Sequence, residues 1–265
     1  MRRAVVVVTR AGGREDPLGA ALRKGGAEMV WLPTTATLPP IDPSPLDAAL
    51  ERLGEVDWVV FTSGHAVEAV CARPRWPAAW SAAAPRRPRV AAVGTSTARR
   101  LGERGIGVDL VPPQASAASL VAALLAAGNG PLRGRRVLWP RSDIARRELP
   151  DGLVAAGAVV EEPIAYRTVA AIPGGLEGFR RDLEAGRIDA VCFLSPSAAD
   201  GLARALGSDL SGLAGRCLVA SLGPATSGAL ARLGAAPDVE AARHTPEGLA
   251  EALLPRLPLL EGASR

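Results

Sequence analysis

One tyrosine, two histidines, three cysteines and a single lysine are the reactive side chains this chain offers. Tyr166 stands in "PIAYRT", at the end of a long extended run joining the two halves of the chain. A phenol there can donate a proton or a hydrogen bond, and it serves equally as a structural tyrosine. Lys24 lies in "RKGGAE", a helix-to-loop stretch that reads as exposed, which argues against Schiff-base chemistry. Cys192 and Cys217 sit inside apolar strand-like runs, where cysteine behaves as a small hydrophobe; with Cys71 the number is odd, against a disulfide framework. His65 and His244 have no metal-ligand spacing to any cysteine, so no zinc site is expected. Glu161-Glu162 would point to opposite faces of a strand, which argues against a catalytic carboxylate pair. No Gly-Lys-Ser/Thr, G-x-S-x-G or G-x-G-x-x-G pattern occurs, and the glycine pair of "TRAGGRED" lacks dinucleotide spacing.

Hydroxyls placed after strands carry more. Six turns follow apolar runs: "TR" (Thr9, Arg10), "TSG" (Thr62, Ser63, Gly64) leading into His65, "GTST" (Gly94 to Thr97, with Thr95), "PRS" (Pro140, Arg141, Ser142), "SPS" (Ser195, Pro196, Ser197) and "GPAT" (Gly223 to Thr226). Backbone amides at helix starts, with hydroxyls beside them, hold carboxylates and phosphates. Serine and threonine are also preferred N-caps, so one such turn alone reads as a cap. Six at equivalent places argue for a shared anion-binding cleft. Arginine supplies nearly all the positive charge and suits planar anions, although most arginines read as solvated helix faces; Arg141 and Arg146 rest on charge alone.

The elements that position these turns alternate. Strand-length runs such as "AVVVVTR", "DWVVFTS", "RVAAVGTS", "RVLWPRS", "DAVCFLS" and "RCLVASLG" each precede a helical pattern, which predicts parallel sheets with helices on both faces. "VDLVPP", "AVVEEPIAYRTV" and "APDVEAA" read as further strands, and a helix is predicted near 145–155. The second half restates the first: "DWVVFTS" returns as "DAVCFLS" about 130 residues on, and the Gly94–Thr97 turn and its helix return at Gly223–Thr226. A duplicated α/β unit is the economical reading, and two lobes create a cleft.

At 265 residues, 48% hydrophobic and 22% charged, the chain is an ordinary globular protein with room for two modest cores. Its apolar runs are too short to span a bilayer, and no signal peptide is recognisable, so a soluble, cytoplasmic protein is expected.

The ordered set "VTR", "FTSGHAV", "AAVGTSTARRL", "RVLWPRSDIARRELPDGLVAAGA", "PIAYRT", "FLSPSAA" and "SLGPATSGALARLG…TPEGLAEAL" resembles uroporphyrinogen-III synthase over nearly the whole chain. The resemblance implies cyclisation of hydroxymethylbilane to uroporphyrinogen III, with loss of water and inversion of ring D, in tetrapyrrole biosynthesis. It implies two flavodoxin-like parallel-sheet lobes joined by a two-strand linker, the first lobe discontinuous (1–35 and 169–265) and the second 36–168. The crossings would be Leu32 to Pro40 and Pro163 to Ala171. It also implies no cofactor and no metal, a small linear tetrapyrrole as substrate, a monomer, and room for transient contact with the preceding deaminase. Tyr166 becomes the candidate to assist departure of the hydroxyl. Thr62, Ser63, Gly64, Ser195, Ser197, Gly223 and Thr226 become binding elements, followed by Thr95 and Arg10. Two positions depart from the family: His65, where asparagine is common, and Leu194, where threonine is common.

Two rivals remain at this level. A non-catalytic bilobal binder of a small polyanion would share the lobes and cleft. A nucleic-acid binder has only the +4 charge and a pI near 9.6 in its favour, and 3% aromatic content leaves no stacking surface. Neither nucleic acid nor membrane is an expected partner.

Overall fold

The computed structural model describes residues 2–12, 16–83, 86–127 and 132–258. The chain is a mixed α/β fold with parallel sheets, and it divides into two compact units, Met1–Ala36 with Val169–Arg265, and Thr37–Thr168.

In the first unit, β1 (Val5–Val8), β2 (Glu28–Trp31), β10 (Ala190–Phe193), β11 (Leu218–Ser221) and β12 (Val239–Glu240) form a sheet ordered β12-β11-β10-β1-β2. All four pairings are parallel. Alternation along the strands separates two apolar faces. Val6, Val8, Ala190 and Cys192 join the core under α1 (Pro17–Lys24) and α11 (Pro246–Leu253). Val7, Val191 and Phe193 join the one under α8 (Leu176–Glu184), α9 (Pro196–Leu206) and α10 (Pro224–Arg232).

The second unit repeats the plan. Its sheet runs β5-β4-β6-β8, from β4 (Trp58–Phe61), β5 (Arg89–Ala92), β6 (Arg136–Leu138) and β8 (Val159–Glu161), again all parallel. Val59, Phe61, Val90 and Leu138 face α2 (Ser44–Glu51), α3 (Gly64–Cys71), α4 (Trp76–Ala82) and α5 (Thr95–Glu103). Trp58, Val60, Val137 and Trp139 face α6 (Ala117–Ala127) and α7 (Glu148–Ala155). A third sheet, β3-β9-β7, comprises β3 (Thr35–Leu38), β9 (Ile164–Ala170) and β7 (Arg141–Ser142); the division between units falls inside β3 and β9.

The aspartates that open the two repeated stretches have a physical task. Asp189 Oδ2 accepts the amide of Val5 at 2.7 Å, and Asp57 Oδ2 accepts that of Arg136 at 2.8 Å. Asp109 does the same for Val90 at 2.7 Å and Asp238 for Val219 at 2.8 Å. Each carboxylate therefore pins an amide within the first two residues of a neighbouring strand, at the end of the sheet opposite the hydroxyl-bearing turns. An arginine completes two of these joints, Arg2 on Asp189 and Arg135 on Asp57.

Some elements differ from expectation. "AVVEEPIAYRTV" is two strands, because Pro163 has no amide for the ladder; β8 stays with β6 while β9 joins β3 and β7. "VDLVPP" contributes only a parallel bridge between Leu110 and Ala91. The helix expected near 145–155 starts at Glu148, since Ser142 and Asp143 side chains hold the Ile144 amide in a turn. Helices α2 and α4 were not assigned from the sequence; each has a proline in its first turn.

Close approach explains one glycine. A Cβ on Gly201 of α9 would lie 2.3 Å from the carbonyl oxygen of Thr34, whose own hydroxyl donates to the Ala198 carbonyl at 2.8 Å. Gly228 of α10 faces open space. Gly201→Ala should therefore cost about 1–3 kcal/mol. Gly228→Ala should stabilise by up to about 1 kcal/mol, by helix propensity alone. Chemical denaturation of both variants checks the contrast, and shifts of equal sign would contradict it.

Candidate active site

In the second unit the chain leaves β4 at Phe61 and turns into α3 through Thr62 and Ser63. Ser63 is the N-cap of that helix: its backbone is extended (φ −157°, ψ 153°) and its Oγ accepts the Ala66 amide at 3.1 Å. The same Oγ is hydrogen-bonded to Tyr166 Oη at 2.9 Å. Tyr166 is 8% exposed and packs into the core cluster that contains Phe61 and Leu138. Burial pushes its phenol above the usual tyrosine value; hydrogen bonding with Ser63 and, after it, Ser142 opposes that rise, and the charge of Asp143 adds to it. The phenol is therefore neutral and protonated at neutral pH.

His65, exposed in the first turn of α3, lies with its ring centroid 5.8 Å from that of Tyr166, and Thr37 Oγ1 is 3.5 Å from its Nδ1. Thr62 Oγ1 accepts the indole N–H of Trp139 at 3.1 Å. Gly64 is partly buried, and a Cβ there would meet nothing nearer than Arg100 Cγ at 3.7 Å, so internal packing does not demand glycine. Thr95 is exposed at the first position of α5. Behind Tyr166, Asp143 Oδ1 accepts the Thr168 amide at 2.9 Å and the Ser142 hydroxyl at 3.0 Å, and Ser142 Oγ lies 3.1 Å from Thr168 Oγ1. This support of β9 was invisible in the sequence, because β7 and β9 pair through an irregular register. The structure thus brings Ser63, His65 and Tyr166 together, with Thr62 on the same turn.

The first unit repeats the turn without the phenol. Ser195 caps α9 by accepting the Ala198 amide at 3.2 Å, in the same extended conformation (φ −155°, ψ 154°), and Ser197 Oγ lies 3.1 Å from Ser195 Oγ. Gly223 is extended and buried; a Cβ there would sit 3.0 Å from His244 Cδ2, so packing against that imidazole accounts for the glycine. Thr226 is 4% exposed, like its counterpart Thr97 at 3%. These threonines are interior residues of their helices, so what their turns can present is backbone. The hydroxyls beside them bond internally: Ser221 Oγ with Ser227 Oγ at 2.8 Å, and Ser227 with Glu240.

All three candidate arginines already face a carboxylate, Arg146 that of Glu148 at 3.9 Å. Arg10 Nη2 meets Asp16 Oδ2 at 2.5 Å, and Arg141 Nε meets Glu162 Oε2 at 3.0 Å. Arg146 is exposed. Glu161 pairs with Arg52 at 2.7 Å and Glu162 also with Arg147 at 2.6 Å, so the two carboxylates serve separate ion pairs. Burial pushes the thiols of Cys192 and Cys217 up to about 12, leaving neither a thiolate nucleophile. Among the described residues no group of three or more metal-ligating side chains occurs, and no helix is long and apolar enough to cross a membrane.

With this geometry in place, the chain can be set beside known proteins. Residues 16–251 match the family model described as uroporphyrinogen-III synthase HemD. Uroporphyrinogen-III synthase of Synechococcus elongatus is 32% identical over 252 residues, covering 92% of each chain. A crystal structure of a mutant uroporphyrinogen III synthase from Thermus thermophilus superposes with a TM-score of 0.60 at 19% identity, over 94% of this chain and 96% of that one. The Helicobacter pylori uroporphyrinogen-III synthetase structure gives 0.58 at 15% identity, over 94% and 97%. The fold agrees with both structures, and by family model and by sequence identity over nearly its full length, the chain belongs to the uroporphyrinogen-III synthase family.

Proposed function

We propose that this chain cyclises hydroxymethylbilane to uroporphyrinogen III, with loss of water and inversion of ring D, and that Tyr166 assists the departing hydroxyl. The observation that carries the role of Tyr166 is its hydrogen bond to the capping Ser63. Ser63 Oγ accepts the Ala66 amide and is hydrogen-bonded to Tyr166 Oη; in the proposed arrangement it turns its own proton to the phenol oxygen. The phenol's own proton is then available to the substrate hydroxyl. Because burial raises its pKa, Tyr166 acts by donating a hydrogen bond as the C–O bond breaks, rather than by giving up its proton early. The pyrrole nitrogen pushes out the leaving oxygen, which departs as water together with the proton lost from the pyrrole N–H, and a neutral azafulvene remains. Attack by the substituted carbon of the last ring then gives the spiro intermediate that inverts it. The protein's remaining task is positioning.

The substrate bears eight carboxylates. In the second unit Thr62, Gly64, His65 and Thr95 are the proposed carboxylate holders; at Gly64 the missing side chain leaves the first amides of α3 open to a ligand. In the first unit Ser195 and Ser197 are proposed on the same grounds, with Gly223 and Thr226 contributing through their turn backbone. Arg10 and Arg141 would serve only by exchanging Asp16 and Glu162 for a substrate carboxylate. On this reading the two units are flavodoxin-like lobes, 1–35 with 169–265 and 36–168, linked through Leu32–Pro40 and Pro163–Ala171. Strand order supports it: the first unit, counted along its own strands, reads 2-1-3-4-5.

Two outcomes are expected. Freshly generated hydroxymethylbilane should yield mostly isomer III with the protein, and isomer I without it. Isomer I alone in both would leave a binder without this activity. Tyr166→Phe should slow isomer III formation by about tenfold to a hundredfold, the weight of one hydrogen bond to a developing charge. Full activity in that variant would remove Tyr166 from the mechanism.

A further inference from the structure

Trp139 is a large buried residue with one polar atom, and that atom is directed at the turn before α3. It follows β6, is 3% exposed, and packs with Val60, Leu120 and Leu149. An indole N–H is a donor only, and a buried one requires an acceptor. Here the acceptor is Thr62 Oγ1 at 3.1 Å.

The consequence falls on Thr62. A hydroxyl has one proton and two lone pairs; with the indole occupying a lone pair, the proton is left to point elsewhere. Among the described residues the indole is the one hydrogen-bond partner of that hydroxyl. Thr62 is partly exposed and adjoins Ser63, so its proton is a donor beside the first amides of α3. Accepting a hydrogen bond also polarises the O–H and strengthens its own donation.

The internal repeat supplies a comparison within the same chain. Val59 pairs with Leu138 as its counterpart Val191 pairs with Val7, so Trp139 corresponds to Val8 and Thr62 to Leu194. In the first unit that pair is wholly apolar, Val8 and Leu194 sharing one cluster. Where the turn carries a hydrocarbon, its neighbour is a hydrocarbon. Where the turn carries a hydroxyl, its neighbour brings an N–H. An aliphatic residue or phenylalanine could fill the apolar face at 139; tryptophan fills it and adds a donor.

We infer that Trp139 is a positioning residue: its indole N–H fixes the Thr62 hydroxyl as a donor to a substrate carboxylate. This rests on the proposed reaction and adds to it a residue that itself touches no substrate.

The test is a double-mutant cycle with hydroxymethylbilane as substrate. Trp139→Phe should raise KM about fivefold, the size of one neutral hydrogen bond, with kcat within about twofold and isomer III still the product. Thr62→Val should raise KM at least as much, and Trp139→Phe added to Thr62→Val should change it no further. Thr62→Ser, which keeps the hydroxyl, should retain wild-type KM. Equal effects of Trp139→Phe in the presence and absence of the Thr62 hydroxyl would make its role one of packing and overturn the inference. A second measurement needs no tryptophan variant. In 15N-labelled protein, one of the five indole N–H signals should shift in Thr62→Val and stay in place in Thr62→Ser; no selective shift would overturn the inference as well. Wild-type protein giving only isomer I would instead remove the parent reading, which separates the two failures.

Discussion

The serine hydroxyl at position 63 has one proton and two lone pairs, and the candidate site depends on how they are used. Helix α3 begins with amides that lack partners within the helix, and Ser63 Oγ answers one of them, the Ala66 N–H. That bond orients the hydroxyl. The group that remains within reach is Tyr166 Oη, in a core that leaves it 8% exposed. A buried phenol costs free energy unless hydrogen-bonded, so the helix cap and the phenol satisfy each other through one oxygen atom. Ser195 does only half of this: it caps α9 in the same conformation, with Ser197 rather than a tyrosine beside it.

The two ends of each sheet have different duties. At one end four aspartates, Asp57, Asp109, Asp189 and Asp238, each hold an amide within the first two residues of a neighbouring strand. These carboxylates tie neighbouring strands together at the end away from the turns. At the other end the turns are built from small and hydroxylated residues, and binding chemistry can change there without touching these ties. Equivalent places of the repeat carry Thr62 beside Trp139 in one unit and Leu194 beside Val8 in the other.

Much of this was legible beforehand. Alternating strand and helix patterns, the repeat and the Ser/Thr turns are local features, and each half of the chain states them in order. The Ser63 and Ser195 turns were readable because an N-cap is a short-range event. What escaped was non-local or irregular. Glu162-Pro163 divides an apparently continuous strand between two sheets, which hydrophobic pattern does not register. Thr226 looked like a binding hydroxyl but faces inward, since position four of a Gly–x–x–Thr turn lies on the buried side of its helix. Arg10 and Arg141 looked free because Asp16 and Glu162 lie at sequence distances that imply no ion pair. The four strand-pinning aspartates pair across as many as 184 residues, and no spacing rule connects them.

Tyr166 is the only tyrosine in the chain, so its ionisation can be followed without interference from another phenol. The most direct measurement is a near-ultraviolet titration of tyrosinate in the folded wild-type protein and in Ser63→Ala. At about pH 10, where an unperturbed tyrosine is half ionised, the wild-type phenol should be mostly protonated. Removal of the Ser63 hydroxyl should move its titration higher still, because that hydrogen bond opposes the effect of burial. A wild-type titration at or below the ordinary value, or one that Ser63→Ala leaves unchanged, would contradict a neutral phenol held as a donor by the helix cap.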